Sequence, residues 1–323
     1  PRFPTTADVL RARRLLRGIA LDTPLEPSAE LATASGAAEV RLKREETQPT
    51  GAFKIRGAHV KVAAVAAEHR DAHLVTASSG NHGLATAAAA ARHGMRLTVL
   101  VGGSVSPAKL ERLRALETDR ITIEVFGRDT DEAEAEARRR DDGGEAVFVP
   151  PYNDPDVIAG QATVGVEIVD AWPEVEVIVV PIGGGGLISG IGLWAKAVRP
   201  GLRLVGVQPA ASPPMYAHLA TGATAPMPIA PTLADGVAGN IERGSITWKM
   251  CRQLVDEIVL ADEDEIADAM RWAIEVPHIL LEGSAVLGIA ALRAGRIAGL
   301  AARRVAVVTT GRMVDAATVA RVI

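Results

Sequence analysis

The feature that most constrains folding is the regular alternation of short apolar runs with longer stretches of helical character. The runs EVRLKRE near Val40, HLVTAS around Val75, LTVLV at 97–101 and ITIEV at 121–125 read as strands. So do AVFV at 146–149, VIVV at 177–180, LRLVGV at 202–207 and RVAVVTT at 304–310. Between them, GLATAAAAARHG, SPAKLERLRALE, DEAEAEARRR and GLISGIGLWAKAV lack strand alternation and suit crossover helices. Strands that alternate with helices predict an α/β protein built on mainly parallel sheets.

With 323 residues the chain has room for two lobes. The turn-rich PPYNDP after the fifth run suggests that a second α/β half begins near Pro150. In EDEIADAMRWAIEV, Ile266, Met270 and Ile274 recur every four residues, which predicts a core-facing helix stripe. Leu10, Leu15 and Leu16, following Thr5-Thr6-Ala7-Asp8, suggest a short amphipathic helix at the start.

Several function classes fit poorly. A formal charge of -4 provides no global attraction for nucleic acid or an anionic membrane. The basic run Arg138 to Arg140 abuts Asp141 and Asp142, as a solvated helix end would. Cys251 is the only cysteine, so neither an intrachain disulfide nor a cysteine-rich metal cluster is expected. The uncharged stretch at 177–195 approaches the length of a membrane span, but Pro181 and four consecutive glycines argue for a strand, a turn and a new helix. The first residues carry no signal-like apolar core, so cytoplasmic residence is the expectation.

Four constellations could carry chemistry. In QPTGAFKIRGA, Lys54 lies among Phe53, Ile55, Gly57 and Ala58. Desolvation there would lower its proton affinity and make it a nucleophile toward an aldehyde, a snorkelling lysine being the competing reading. TASSGNHG places Ser78, Ser79 and Asn81 between a strand and a helix, where free backbone donors favour an anion, although capping uses the same residues. Gly183 to Gly186, again between strand and helix, can expose consecutive N–H groups to a phosphate or simply form a tight turn. The Lys-Ser/Thr ending of a nucleotide P-loop is missing. Thr309 and Thr310 close an apolar strand just before Gly311, where ligands often sit in open α/β sheets.

Taken in order, TPLEPSAEL, QPTGAFKIRG, SSGNHG, GQATVGVEI, GGGG, TLADGVA, EGSAVLG and TTGR resemble the fold-type II pyridoxal-phosphate enzymes. The likeness points to their threonine/serine dehydratases and serine racemases. It implies a two-lobed three-layer α/β sandwich of the tryptophan-synthase-β-like class. Residues 1–72 and 150–323 would form a large cofactor-binding domain, and residues 73–149 a small mobile α/β domain. A homodimer is implied as well.

The same resemblance implies pyridoxal 5'-phosphate bound covalently through Lys54, which on release would abstract the substrate α-proton. It assigns Gly183, Gly184, Gly185 and Gly186 to the phosphate, Asn81 to the ring hydroxyl, Phe53 to the ring face and Thr310 to the ring nitrogen. Glu282 would be a carboxylate near the ring, with helix capping as the competing role, and Asp235 would organise a cleft loop. Ser78, Ser79, Asn81 and His82 would receive the substrate carboxylate, and Ser79 matches the opposite-face acid/base serine of the racemases.

The substrate implied is a small β-hydroxy amino acid, L-threonine or L-serine, converted to a 2-oxo acid and ammonia. Serine racemisation, a dehydratase for hydroxyaspartate or phenylserine, and a catalytically silent amino-acid-binding protein are the alternatives. In the segment where relatives carry metal-binding acids this chain has Gln208 and Pro214, so no metal is inferred.

Overall fold

The computed structural model describes residues 2–222 and 225–323; of the expected domain segments, residues 1, 223 and 224 lie outside that description. Among the described residues ten strands form two sheets: β1 (Leu25–Pro27), β2 (Glu39–Arg44), β3 (His73–Ala77), β4 (Arg96–Val101), β5 (Ile121–Val125), β6 (Val147–Phe148), β7 (Val177–Pro181), β8 (Arg203–Pro209), β9 (Glu257–Ala261) and β10 (Arg304–Thr309). The larger sheet has the order β1-β2-β10-β7-β8-β9 and the smaller one β5-β4-β3-β6. All pairings are parallel except β1 with β2.

Each sheet is the middle layer of a sandwich because its strands are apolar on both faces. In the larger one, Val40, Val179, Val205 and Val307 face a core shared with helices Glu263–Glu275 and Leu287–Arg293. Their neighbours Ile178, Val180, Leu204 and Val308 face the opposite core, shared with helices Pro155–Ala171 and Gly186–Val198. The smaller sheet repeats the scheme, with Leu74, Leu97 and Val99 toward helix Asn81–His93 and Val75, Leu100 and Phe148 toward helix Thr130–Asp142. This is the three-layer fold-type II arrangement expected.

Several details differ from the reading of the sequence. Strand β10, last in the chain, lies parallel to β2 with Thr309 opposite Arg44, so the first and last segments are neighbours in one sheet. Strands β1 and β9 escaped notice: β1 is only three residues long at a sheet edge, and most of β9 is half-buried. Helix Lys54–Glu68 contributes Val62 and Val65 to the smaller sheet's core, yet Val60 packs with Ala12 and Ala159. It therefore spans both packing units rather than belonging to one.

At the first helix, Thr6–Leu15, the Thr5 and Asp8 side chains form a capping box. Its buried stripe is Val9 and Ala12, followed by Leu16 just past its end, whereas Leu10 and Leu15 are exposed, contrary to expectation. In helix Glu263–Glu275 the buried positions are Ile266, Ala269, Met270, Trp272 and Ala273, and Ile274 is only half-buried. The uncharged stretch at 177–195 is strand β7, the glycine turn and most of helix Gly186–Val198. Among the described residues no helix is long and apolar enough to cross a membrane.

Candidate active site

The C-terminal ends of β3, β7 and β10 open onto one cavity of about 300 Å³ between the two sheets. Phe53, Lys54, Ser78, Ser79, Asn81, His82, Gly183, Gly184, Gly185, Gly186, Glu282 and Thr310 all line it. Residues from five separated segments of sequence are thus gathered around a single space.

Three helix N-termini point into this space, and none has a side-chain cap: their N-cap residues are Phe53, Gly80 and Gly185. Most helices elsewhere are capped, by Thr5, Ser28, Ser106, Asp129, Asp154, Ser245, Asp262 and Asp315, although Pro214–Thr221 and Leu287–Arg293 also lack a side-chain cap. The first-turn N–H groups of the helices that start at Asn81 and Gly186 are left for an exogenous acceptor, and an anion is the favoured one, whereas in the Lys54 helix the Arg56 N–H already bonds the Phe53 carbonyl at 3.0 Å. This decides against capping for Ser78 and Ser79. The Ser78 hydroxyl instead accepts the Gly80 N–H at 3.2 Å, tightening the turn.

The glycine run makes the most concentrated donor set. Gly183, Gly184, Gly185 and Gly186 donate no N–H to any protein acceptor among the described residues. Gly185 has φ +85, a conformation that favours glycine. A Cβ on Gly184 would stand 2.4 Å from the Tyr152 ring, and one on Gly186 would stand 3.0 Å from Tyr152 Cβ. Tyr152 therefore braces the loop from behind, with its hydroxyl accepting the Glu242 N–H at 2.9 Å. The turn signal in PPYNDP gave no hint of that role.

Lys54 is the first residue of its helix, a position where the helix dipole disfavours a positive charge. Its Nζ donates to the Pro151 carbonyl at 2.9 Å and lies 5.3 Å from the centre of the Phe53 ring. Burial pushes its pKa down to about 8, against the pull of the Glu282 and Glu134 carboxylates. At pH 7 about one-tenth of such an amine is neutral, far more than of an exposed lysine, and the neutral form is the one a nucleophile or base requires. The segment is held by the Phe53 N–H bonding to the Thr310 carbonyl at 3.1 Å.

Glu282 is buried, and its pKa is pushed up to about 7 by that burial despite hydrogen bonds from Asn81 and the Met313 N–H. It does not cap a helix; the helix at Leu287–Arg293 begins after Val286. Asn81 Oδ1 is buried without a partner and so remains able to accept a hydrogen bond. The Thr310 hydroxyl makes no hydrogen bond within the protein among the described residues, unlike that of Thr309.

His82 lies in the wall, but its Nε2 is 3.0 Å from the Val149 carbonyl. Burial and the nearby Lys54 charge push its pKa down to about 3, so the imidazole is neutral and carries no charge toward a carboxylate. Ser284 was overlooked in the sequence, although it lies in the quoted EGSAVLG run. Its hydroxyl is buried, unpartnered and part of the lining. Gln208 donates to the Ile182 carbonyl at 3.3 Å and accepts the Tyr216 N–H at 2.8 Å, while Pro214 opens helix Pro214–Thr221.

A depressed lysine, four unbonded glycine N–H groups, an open Asn81 acceptor and a free Thr310 hydroxyl suit an aldehyde-bearing aromatic phosphate. The comparisons agree. Maize serine racemase superimposes with a TM-score of 0.91 at 29% identity, covering 99% of this chain and 97% of that one. Threonine deaminase isoform 2 of Solanum lycopersicum gives a TM-score of 0.88 at 27% identity, covering 100% and 94%. The L-threonine ammonia-lyase of Thermotoga maritima is 38% identical over 99% of this chain and 78% of its own length. The catabolic L-threonine dehydratase of Escherichia coli is 34% identical over 90% and 87%. Matched over residues 16–311 to the family described as pyridoxal-phosphate dependent enzyme, the chain belongs to that family.

Proposed function

We propose that this enzyme removes the β-hydroxyl and the amino group of L-threonine or L-serine, giving a 2-oxo acid and ammonia. The observation that carries the reading is the Lys54 amine, lowered to about 8 and facing the same cavity as the glycine loop and the Ser78–Ser79–Asn81 turn. The threonine ammonia-lyases above support it.

In this reading Gly183 to Gly186 hold the cofactor phosphate, Asn81 and Thr310 the polar positions of its ring, and Phe53 its face. Pyridoxal 5'-phosphate supplies delocalisation of the electron pair left at the substrate α-carbon. Lys54, as a free amine, takes the α-proton. The hydroxyls of Ser78 and Ser79 and the uncapped N–H groups that start helix Asn81–His93 orient the substrate carboxylate, with His82 contributing its backbone rather than a charge. The balance is simple: threonine yields 2-oxobutanoate and one ammonia, and serine yields pyruvate and one ammonia.

The charge of the cleft favours these substrates over hydroxyaspartate. Among the described residues no arginine lines the cavity, Lys109 is paired with Asp235 at 2.6 Å, and Asp131 adds further negative charge, Glu134 being paired with Arg138 at 2.7 Å. A second carboxylate would meet repulsion there. Serine racemisation is a second reading, supported by Ser79 in the wall and by the maize relative.

Residues 73–149 are proposed to move as a lobe whose closure excludes water from the cavity. Cytoplasmic residence and homodimeric assembly are proposed from composition and resemblance, and sedimentation would measure the latter. Purified enzyme should be incubated with L- and D-serine, L-threonine, hydroxyaspartate and phenylserine. 2-Oxobutanoate and ammonia from L-threonine are expected. Failure on both threonine and serine would defeat the assignment, and D-serine forming faster than pyruvate would replace it with a racemase.

A further inference from the structure

Behind the cavity lies a buried ionic cluster that the reaction above does not use. The turn Glu45–Thr47 presents two consecutive carboxylates, 0% and 3% exposed. Glu45 receives Arg56 Nε at 2.8 Å and Nη2 at 2.7 Å, a two-pronged contact that sets both distance and angle. Arg56 lies two residues after Lys54 in the first turn of the same helix. The remaining guanidinium face meets Glu167 and the Thr163 hydroxyl, and Lys43 Nζ closes the group by donating to Glu167 at 2.6 Å. Glu46 turns the other way. Its Oε2 accepts the Thr309 hydroxyl at 2.6 Å, and its Oε1 accepts from Arg44.

We propose that Glu45 and Glu46 are positioning residues that fix the Lys54 helix against the Thr310 end of β10. One carboxylate grips the helix that carries the amine, the next grips the residue preceding Thr310, and a single peptide unit links the two. The proposal rests on the reading of Lys54 as the cofactor-bearing amine.

Energetics point to geometry rather than stability as the role of this cluster. Lys43 and Arg56 balance Glu45 and Glu167, and a buried balanced cluster adds little over apolar side chains of equal volume. What directional ion pairs contribute and apolar packing lacks is a unique register. The direct tie between the segments is the Phe53 N–H bond to Thr310 and the bridge between Ala52 and Gly311. Those backbone contacts fix where the two segments meet, and the Arg56 fork adds a directional constraint on the first turn of the helix beside its close packing against helix Pro155–Ala171. A displacement near 1 Å at a reacting group lowers rate by up to about a hundredfold.

The test uses holoenzyme carrying Thr309→Val, Thr309→Ser or Glu46→Gln. Thr309→Val removes the hydroxyl at nearly constant volume, and Thr309→Ser restores it. Visible circular dichroism of the bound cofactor reports the asymmetry of its surroundings independently of turnover. For Thr309→Val, the cofactor band should fall to about half or less and kcat roughly tenfold, with KM changing by less than about twofold. Thr309→Ser should recover both.

Glu46→Gln should show the same pattern in milder form, and it decides the matter if Thr309→Val does not fold. If the variants lower only the unfolding temperature and leave the band and kcat as in the parent, the proposal is overturned. Loss in Thr309→Ser equal to that in Thr309→Val overturns it too. A parent protein that shows no cofactor band at all removes the Lys54 reading and this inference together, whereas the first two results remove this inference alone.

Discussion

The Asn81 side-chain amide donates to both oxygens of Glu282, each at 3.0 Å, across 201 positions of sequence. One partner starts the helix that follows β3 in the smaller sheet, and the other precedes helix Leu287–Arg293 on the larger. The contact joins the two halves of the molecule at the floor of the cavity, and it involves a carboxyl group held up to about 7.

That raised value has a sign. The folded protein holds a proton on Glu282 over a range where the unfolded chain has lost it, so this group's contribution is full below about 4.5 and is lost as pH rises through about 7. Stability should fall by an amount on the order of 1–3 kcal/mol between those limits on account of this group. Glu282→Gln should flatten that part of the profile, as measured by urea unfolding at a series of pH values. An unchanged slope would contradict the assignment.

Lys54 loses its proton at a lower pH than an exposed lysine does, since burial favours its neutral form. Covalent uptake of added pyridoxal phosphate by the cofactor-free protein should accelerate as pH rises from 7 and level off above about 8. Borohydride reduction followed by intact-mass analysis would follow it. Lys54→Ala should show no adduct at any pH, and an adduct of undiminished yield would refute the role.

Gly184→Ala drives a methyl group to within 2.4 Å of the Tyr152 ring, so the loop must move and its four N–H groups lose their common aim. Retention of the cofactor should weaken by roughly tenfold or more, as expected when several charge-assisted hydrogen bonds are misaligned. Gly201→Ala, where an added methyl meets nothing within 4 Å, is the control and should bind as the parent does. Equilibrium dialysis of the two variants gives the comparison.

Lys109 and Asp235 join helix Pro107–Arg114 to the turn Asp235–Val237 at the rim of the cavity. Asp235 is largely exposed, so Lys109→Met should change global stability by no more than about 1 kcal/mol. If this pair helps hold the cleft shut, the variant should exchange amide protons faster in the segment 73–149 while its unfolding midpoint scarcely moves. Exchange identical to that of the parent would separate the pair from any closure.

Much of this was legible before the fold was known, because it is local. Apolar runs such as ITIEV became β5 residue for residue, and the glycine run and the Ser-Ser-Gly-Asn turn announced two strand-to-helix junctions through backbone requirements that act within a few residues. The chemistry of Lys54 was suggested by its apolar neighbours in QPTGAFKIRGA. What the order of motifs could not convey is anything depending on contact between distant segments.

Sequence alone determined the strand-helix alternation and the kinds of residue available to the site, since periodicity and turn chemistry are encoded over spans of one element. Tertiary structure decided that three uncapped helix ends share one cavity, that Tyr152 braces the glycines, that His82 is neutral and that Glu45 and Glu46 stand behind Lys54 and Thr310. Burial, desolvation and long-range pairing come into being only when the chain closes on itself, and those three quantities set a pKa, leave a donor free or hold an amine in place.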